Sequence, residues 1–477
     1  MVLRGDADDL RRTDRGAAPA GPPRRPLSRL QGGAHRPTRG DAPPVGPARR
    51  SVPTIPRPSS IPLATVHNSL TSFAWRNLWR NRRRTLITLA SIVLGFFLAI
   101  LMTAMQDRAW SETIDLAARL GGGHVSIQHP AHAESPTLRN HLGDVETLVA
   151  AALELPQVRG AVPRVAGQAM VSTAHESYGA GFIAFDPRRE TAETLALLEA
   201  TELPEEFVRG DNAVLLGARL AENLRAREGD RIVYTLTDTS GEIVSGLARL
   251  RGTVTTGVPS LDAAIFLLPL DALRRSLALE EDEATEVAVF VHDQRDSDRV
   301  SGELGGRLDE VAVLPWSEGR PELATFVAMK VGGALFMEAL IALLVAAGIF
   351  NTLFVGVMER MREFGILRAI GWSSPRLFRL VMLESLILAL IGLALGALVT
   401  IGPYLYLARH GIDMTAMLGE QGMEVAGVGM SPVLRVGIFP ENAALIAVLA
   451  VAAVLASGVY PAWRASSVEP VEAIKLV

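Results

Sequence analysis

Between Leu86 and Met105 (LITLASIVLGFFLAILMTAM) twenty consecutive residues carry no charge, and the same holds from Ala339 to Met358 (ALIALLVAAGIFNTLFVGVM). At about 1.5 Å per helical residue each stretch reaches roughly 30 Å, the thickness of a bilayer's hydrocarbon core. In that solvent a single segment can satisfy its backbone only as a helix, so both stretches predict membrane spans. Two further runs, Leu380–Tyr406 and Ala443–Val459, read the same way, the last ended by Pro461 before Trp463 and Arg464. The first run is too long and too far from Met1 to be a secretory signal core.

Charge orients the spans. Arg76, Arg80 and Arg82 to Arg84 precede the first run and Asp107, Glu112 and Asp115 follow it, whereas Arg360, Arg362, Arg368, Arg376 and Arg379 lie between the second and third. Short arginine-rich connections stay in the cytoplasm, which places both termini there and the region after the first span outside. Phe73, Trp75, Leu78 and Trp79 recur at helical spacing among those first arginines, the pattern of an interfacial helix.

Residues 108–325 contain no membrane-length apolar run and carry acidic clusters at Glu205-Glu206 and Glu280–Glu283. Strand patterns at His124–Gln128, Ala169–Thr173, Arg231–Thr237, Ala263–Leu268 and Glu286–His292 alternate with helix patterns at Val145–Glu154, Leu216–Arg225 and Pro269–Leu277. The expected fold is therefore a polytopic α-helical membrane protein with four transmembrane helices and a large mixed α/β extracytoplasmic domain between the first and second. The expected divisions are 1–70, a disordered basic tail; 71–107, interfacial helix and first span; 108–325, the outer domain; and 326–477, the remaining spans.

The tail is rich in proline and arginine, and a true start near Val52 or Val66 fits its composition. Without interleaved aromatics it does not read as a nucleic-acid binder. Cysteine is absent, so neither disulfides nor thiolate metal sites are available. His124, His129 and His132 lack an indicated fourth ligand, and no zinc site is expected. Glu338 and Glu384 could serve a proton relay, but no acidic partner lies at matching depth for either. Gly392 and Gly396 form a small-x-x-x-small pair for close helix packing. No catalytic constellation and no G-x-x-x-x-G-K-[ST] loop occur in the chain.

The connection Glu359–Gly371 (ERMREFGILRAIG) joins two spans and reads either as a solvated hairpin or as a helix, with Ile366, Leu367 and Ile370 opposite Glu363 and Arg368. Taken with LESLILALIGLALG (Leu383–Gly396) and YPAWRASSVEPVEAIK (Tyr460–Lys475), it makes the chain resemble the FtsX-like ABC transporter permeases. GHVSIQ (Gly123–Gln128), LLGARLAENLRAREGDRI (Leu215–Ile232) and TGVPSLDAAIFLLPLDALRR (Thr256–Arg275) are most similar to the lipoprotein-releasing, Lol-type branch, with a MacB-like periplasmic domain.

The resemblance implies a non-catalytic permease subunit of the bacterial inner membrane. It implies a coupling helix at 359–371 that docks on a separate ABC ATPase through Glu359, Arg360, Glu363, Gly365, Arg368, Ala369 and Gly371. ATP and Mg would then sit on the partner ATPase, with no cofactor on this chain. A second permease chain, identical or related, would complete the assembly, and the cargo would be a lipoprotein or other amphiphile. The alternative reading is mechanotransmission, in which the outer domain activates a partner such as a cell-wall hydrolase.

Overall fold

The computed structural model describes residues 63–469, except 200, 257, 278, 419–422, 426–427 and 431. Most of the expected tail, residues 1–62, and the end of the YPAWRASSVEPVEAIK stretch, from residue 470, lie outside the described residues.

Helix α1 (Leu63–Arg80) begins inside the stretch expected to be disordered and is followed at once by α2 (Arg82–Arg119). Helix α2 is 38 residues long and contains the first apolar run; beyond Met105 it continues unbroken for about 20 Å. There the inserted domain begins: β1 (Val125–Gln128), α3 (Val145–Leu153), β2 (Val158–Ser172), β3 (Ser177–Phe185), α4 (Glu205–Val208), β4 (Ala213–Gly217), α5 (Ala218–Asn223), β5 (Arg231–Thr237), β6 (Ile243–Val254), α6 (Pro259–Asp262), β7 (Ile265–Pro269), α7 (Leu270–Leu277), β8 (Glu286–Val291), α8 (Ser297–Gly305), β9 (Ala312–Pro315) and α9 (Trp316–Gly319). The chain returns through α10 (Pro321–Glu359), α11 (Met361–Ala369), α12 (Ser374–His410), α13 (Thr415–Leu418) and α14 (Pro440–Ser466).

Among the described residues four helices, α2, α10, α12 and α14, are long and apolar enough to cross a membrane. The divisions expected at 107/108 and 325/326 fall inside α2 and α10. The expected stop at Pro461 is not observed. Helix α14 passes Pro461 and runs to Ser466, because that ring is buried and Ala462 and Ala465 just beyond it pack with Leu377, Val381 and Phe364. Tertiary packing there outweighs the one lost backbone hydrogen bond.

The nine strands of the inserted domain form one sheet in the order β3-β7-β4-β6-β5-β2-β8-β1-β9, and β3 also pairs with β2. That extra pairing, Arg164↔Phe185 to Ser172↔Ser177, closes β2-β3-β7-β4-β6-β5 into a six-stranded barrel. The other end of the fifteen-residue β2 leaves the barrel and pairs with β8 from Val158 to Arg164. One strand thus belongs to both the barrel and the open sheet β2-β8-β1-β9. Alternation sorts the side chains. Ala180, Phe182, Ala184, Val214, Leu216, Phe266 and Leu268 share the large core, while Ile183, Phe185, Ala213, Leu215, Ile265 and Leu267 pack with Leu195, Leu197 and Phe207 in a second. Burial on both faces leaves β4 and β7 without polar positions, the reason Leu216 and Gly217 read as the start of a helix.

Candidate functional site

The break between α10 and α11 falls at Arg360, and α11 ends on a local signal. Gly371 takes φ +102°, its N–H donates to Arg368 O, and the Trp372 N–H donates to Leu367 O at 3.0 Å. This left-handed glycine closure satisfies the last carbonyls and turns the chain toward Ser373 and Pro375, which open α12. Phe364, fully buried with Val357, Leu377, Val381 and Ala465, fixes the rotation of α11 about its axis. The helix is shorter than the expected 359–371.

Charged residues then tie α11 to the other elements. Arg360 Nη1 donates to Glu384 Oε2 of α12 at 2.9 Å, and Asn77 Nδ2 of α1 donates to Glu384 Oε1 at 2.9 Å. Glu363 accepts from Arg80 and, at 3.4 Å, from Arg360 Nε; Glu359 pairs with Arg84 Nη1 at 3.4 Å. Partial burial resists ionisation of Glu363, but the hydrogen bond from Arg80 and the charges of Arg80 and Arg360 outweigh it and hold its pKa below the usual carboxylate range. Arg368 Nη1 donates to Ser374 Oγ at 2.6 Å.

The structure thus divides the seven expected contact residues. Arg360 and Gly365 face the chain's own interior, and Glu363 and Arg368 have partners within the chain. Glu359, Ala369 and Gly371 are exposed. The open face also carries Ile366 (45% exposed), Ile370 (74% exposed) and Arg362. Arg362 was not in the expected set, although its spacing of four from Ile366 marks the same helical face. Leu367, read with the two isoleucines, packs partly into the cluster around Phe364.

Gly392 and Gly396 face α2. A Cβ on Gly392 would stand 2.5 Å from Ile92 Cγ2, and one on Gly396 would stand 2.9 Å from Phe96 Cδ1, so α12 lies on α2 at a distance larger residues would forbid. Glu338 accepts from Thr103 Oγ1 at 2.9 Å and Glu384 is held by Arg360 and Asn77, so each carboxylate has its own partners rather than sharing a relay.

A second cluster lies where α2 and α10 meet the inserted domain. Arg164 and Glu190 have no exposed side-chain surface and pair at 2.6 Å, with Arg164 also donating to Thr194 O and Gly121 O. His124 is 2% exposed, 3.5 Å from Asp115, and burial pushes its pKa down to about 4. His129 Nδ1 accepts from Ala131 N and His132 Nδ1 contacts Asn140 O. No group of three or more His, Cys, Asp or Glu converges as a metal site among the described residues.

Residues 85–306 match the family of MacB-like periplasmic core domains and residues 335–470 match the FtsX-like permease C-terminal family. Lipoprotein-releasing system transmembrane protein LolC of Xylella fastidiosa is 25% identical over 365 residues, covering 73% of this chain and 85% of that protein. Macrolide export ATP-binding/permease protein MacB of Nitrobacter winogradskyi is 24% identical over 446 residues, 89% of this chain and 62% of that protein. The solved periplasmic region of MacB from Actinobacillus actinomycetemcomitans aligns with a TM-score of 0.29 and 9% identity, over 41% of this chain and 89% of that one. The two family matches fall on the inserted domain and on the membrane helices either side of it, so the chain pairs a MacB-like periplasmic core domain with an FtsX-like permease C-terminal region.

Proposed function

We propose that this chain is the permease subunit of an ABC transporter in which α11 docks on a separate ATPase and the inserted domain, on the extracytoplasmic side, extracts a lipoprotein or other amphiphile from the membrane. The observation that carries this is the open face of α11: Ile366, Ala369 and Ile370 unpartnered, edged by Glu359 and Arg362, on a helix locked by Phe364, by the ion pair of Glu363 with α1, and at its N-terminal junction by the pairs of Glu359 with α2 and Arg360 with α12. An apolar face held this firmly suits a groove in a partner. ATP and Mg belong to that partner, since this chain has no phosphate-binding loop. Arginines of α1, α11 and α12 share one end of the molecule, which is the cytoplasmic end by charge.

Helices α2 and α10 cross the bilayer and reach the inserted domain without a break, so a tilt at α11 is delivered there as lever motion. Two permease chains, identical or related, complete the pathway. The relatives are named for release and export, which supports transport over the signalling alternative.

The test is recovery of the co-expressed ATPase with Ile370→Asp. Burying a whole isoleucine side chain contributes about 1.5–3 kcal/mol, and three quarters of this one is still available, so its loss should weaken the complex about tenfold or more. Glu363→Ala in parallel reports on positioning, because its partners lie within this chain. Full recovery of the ATPase with Ile370→Asp would refute the dock.

A further inference from the structure

A cavity of about 530 Å³ opens where the tips of α2 and α10 meet the barrel wall. Its size is that of a ligand pocket. Among the polar side chains lining it, Gln128 of β1, only 8% exposed, and Arg320, at the N-cap position of α10, have no side-chain hydrogen-bond partner among the described residues. Arg320 lies against Gly121, just past the end of α2, where a Cβ would stand 1.7 Å from Nη2, so a larger residue there would displace the guanidinium from its present position. Burial pulls the Arg320 pKa below the ordinary arginine value, Glu286 opposing and Arg164 adding to the effect. Glu286 also lines the cavity; it forms no ion pair with Arg320, and its carboxylate has a single long contact, 3.5 Å from Ser126 Oγ.

The Arg320 guanidinium and the Gln128 amide open into the cavity with no hydrogen bond to the rest of the described chain, so an occupant can supply their partners, and the chemistry that would satisfy them together with Glu286 is restricted. A simple anion would meet Glu286 and a simple cation would meet Arg320. A group offering carbonyl oxygens to Arg320 and N–H donors to Glu286 suits both, and the Gln128 amide accepts and donates in the same way. That group is the peptide unit. Gly167, Gly179 and Gly181 line the barrel side, leaving room for a backbone to approach, and Phe182, Ile265 and Trp316 offer apolar contacts. The cavity lies about 20 Å beyond the apolar run of α2, out of reach of lipid headgroups.

We propose that this junction cavity binds an extended peptide segment through Arg320, Gln128 and Glu286. Because Gly121 lies just past the end of α2 and Arg320 is the N-cap of α10, an occupant touches the ends of both long helices at once. The proposal is independent of the dock on α11 and is tested without an ATPase.

The chain has no cysteine, and a Cβ at Gly179 meets nothing within 4 Å, so Gly179→Cys places a unique thiol at the cavity wall without strain. The purified full chain would be labelled with a maleimide in the presence of the capped pentapeptide acetyl-Gly-Ser-Ala-Ser-Gly-amide. With a Kd of about 1 mM, about 5 mM peptide should slow labelling roughly sixfold. Adding Arg320→Gln or, separately, Gln128→Leu should return the rate to its peptide-free value. Two outcomes overturn the proposal: labelling indifferent to peptide, or slowing that survives both substitutions. Protection by a short-chain phosphatidylglycerol but not by peptide would overturn it in favour of a lipid site. The Gly179→Cys measurement stands alone if either double variant fails to fold.

Discussion

His124 should make the inserted domain lose stability as the pH falls. Its ring is buried edge-on to Phe290, Nδ1 has no partner, and Nε2 is 3.5 Å from an Asp115 carboxylate already engaged by Arg119 and Arg159. Burial is the largest influence and lowers the pKa; Asp115 raises it, Arg159 and Arg119 lower it, and the result is about 4 against 6.5 in the unfolded chain. Between those values the unfolded state takes up a proton that the folded state refuses. Stability is therefore complete above about pH 6.5, declines as the pH falls toward about 4, and then levels off. A shift of about 2.5 units at 1.36 kcal/mol each amounts to about 3 kcal/mol over the window. This is a large part of the roughly 5–15 kcal/mol that holds a typical domain. Denaturant unfolding of wild type and His124→Gln between pH 7.5 and 4 isolates the effect, since carboxylates titrate in both proteins. The wild type should lose about 1.4 kcal/mol more than the variant by pH 5.5 and about 3 kcal/mol more by pH 4. Parallel pH profiles would show that the imidazole is free to protonate in place, and the reasoning from burial would fail.

Glu190→Ala leaves Arg164 charged and fully buried without its carboxylate, and should destabilise the inserted domain by about 3–5 kcal/mol, measured as a fall in its denaturant midpoint. Gly392→Val would drive a side chain into Ile92 and should cost about 1–3 kcal/mol, seen as a lower unfolding temperature in detergent and relieved by adding Ile92→Ala.

The membrane helices were legible because an uncharged twenty-residue run allows little else, and α5, α7 and β5 were legible because their alternation or helical spacing is local. Where two structures share a run, the pattern failed. β4 is buried on both faces and merges in sequence with α5, so Leu216 and Gly217 were read into the helix. β3 (SYGAGFIAF) and β6 (IVSGLARLRGTV) carry glycines and give no strand signal, yet they complete the barrel. The place of α11 could be read from its neighbours, but its orientation could not. That depends on pairs such as Arg80 with Glu363 and Asn77 with Glu384, each joining residues about three hundred positions apart, and on the packing of Phe364. Once Phe364 marks the inner face, the outward series Arg362, Ile366, Ala369 and Ile370 follows from helical spacing alone.

Sharing β2 between the barrel and the open sheet has a further result for the edges of the inserted domain. A barrel has no unpaired margin, so six of the nine strands close on one another and cannot recruit a strand from a neighbouring molecule. At the far end the sheet stops at β9, which is four residues long and finishes in Pro315, a residue with no N–H to offer. Helices α8 and α9 pack beside that margin. The inserted domain is thereby protected against edge-to-edge aggregation without placing a single lysine on its border strand.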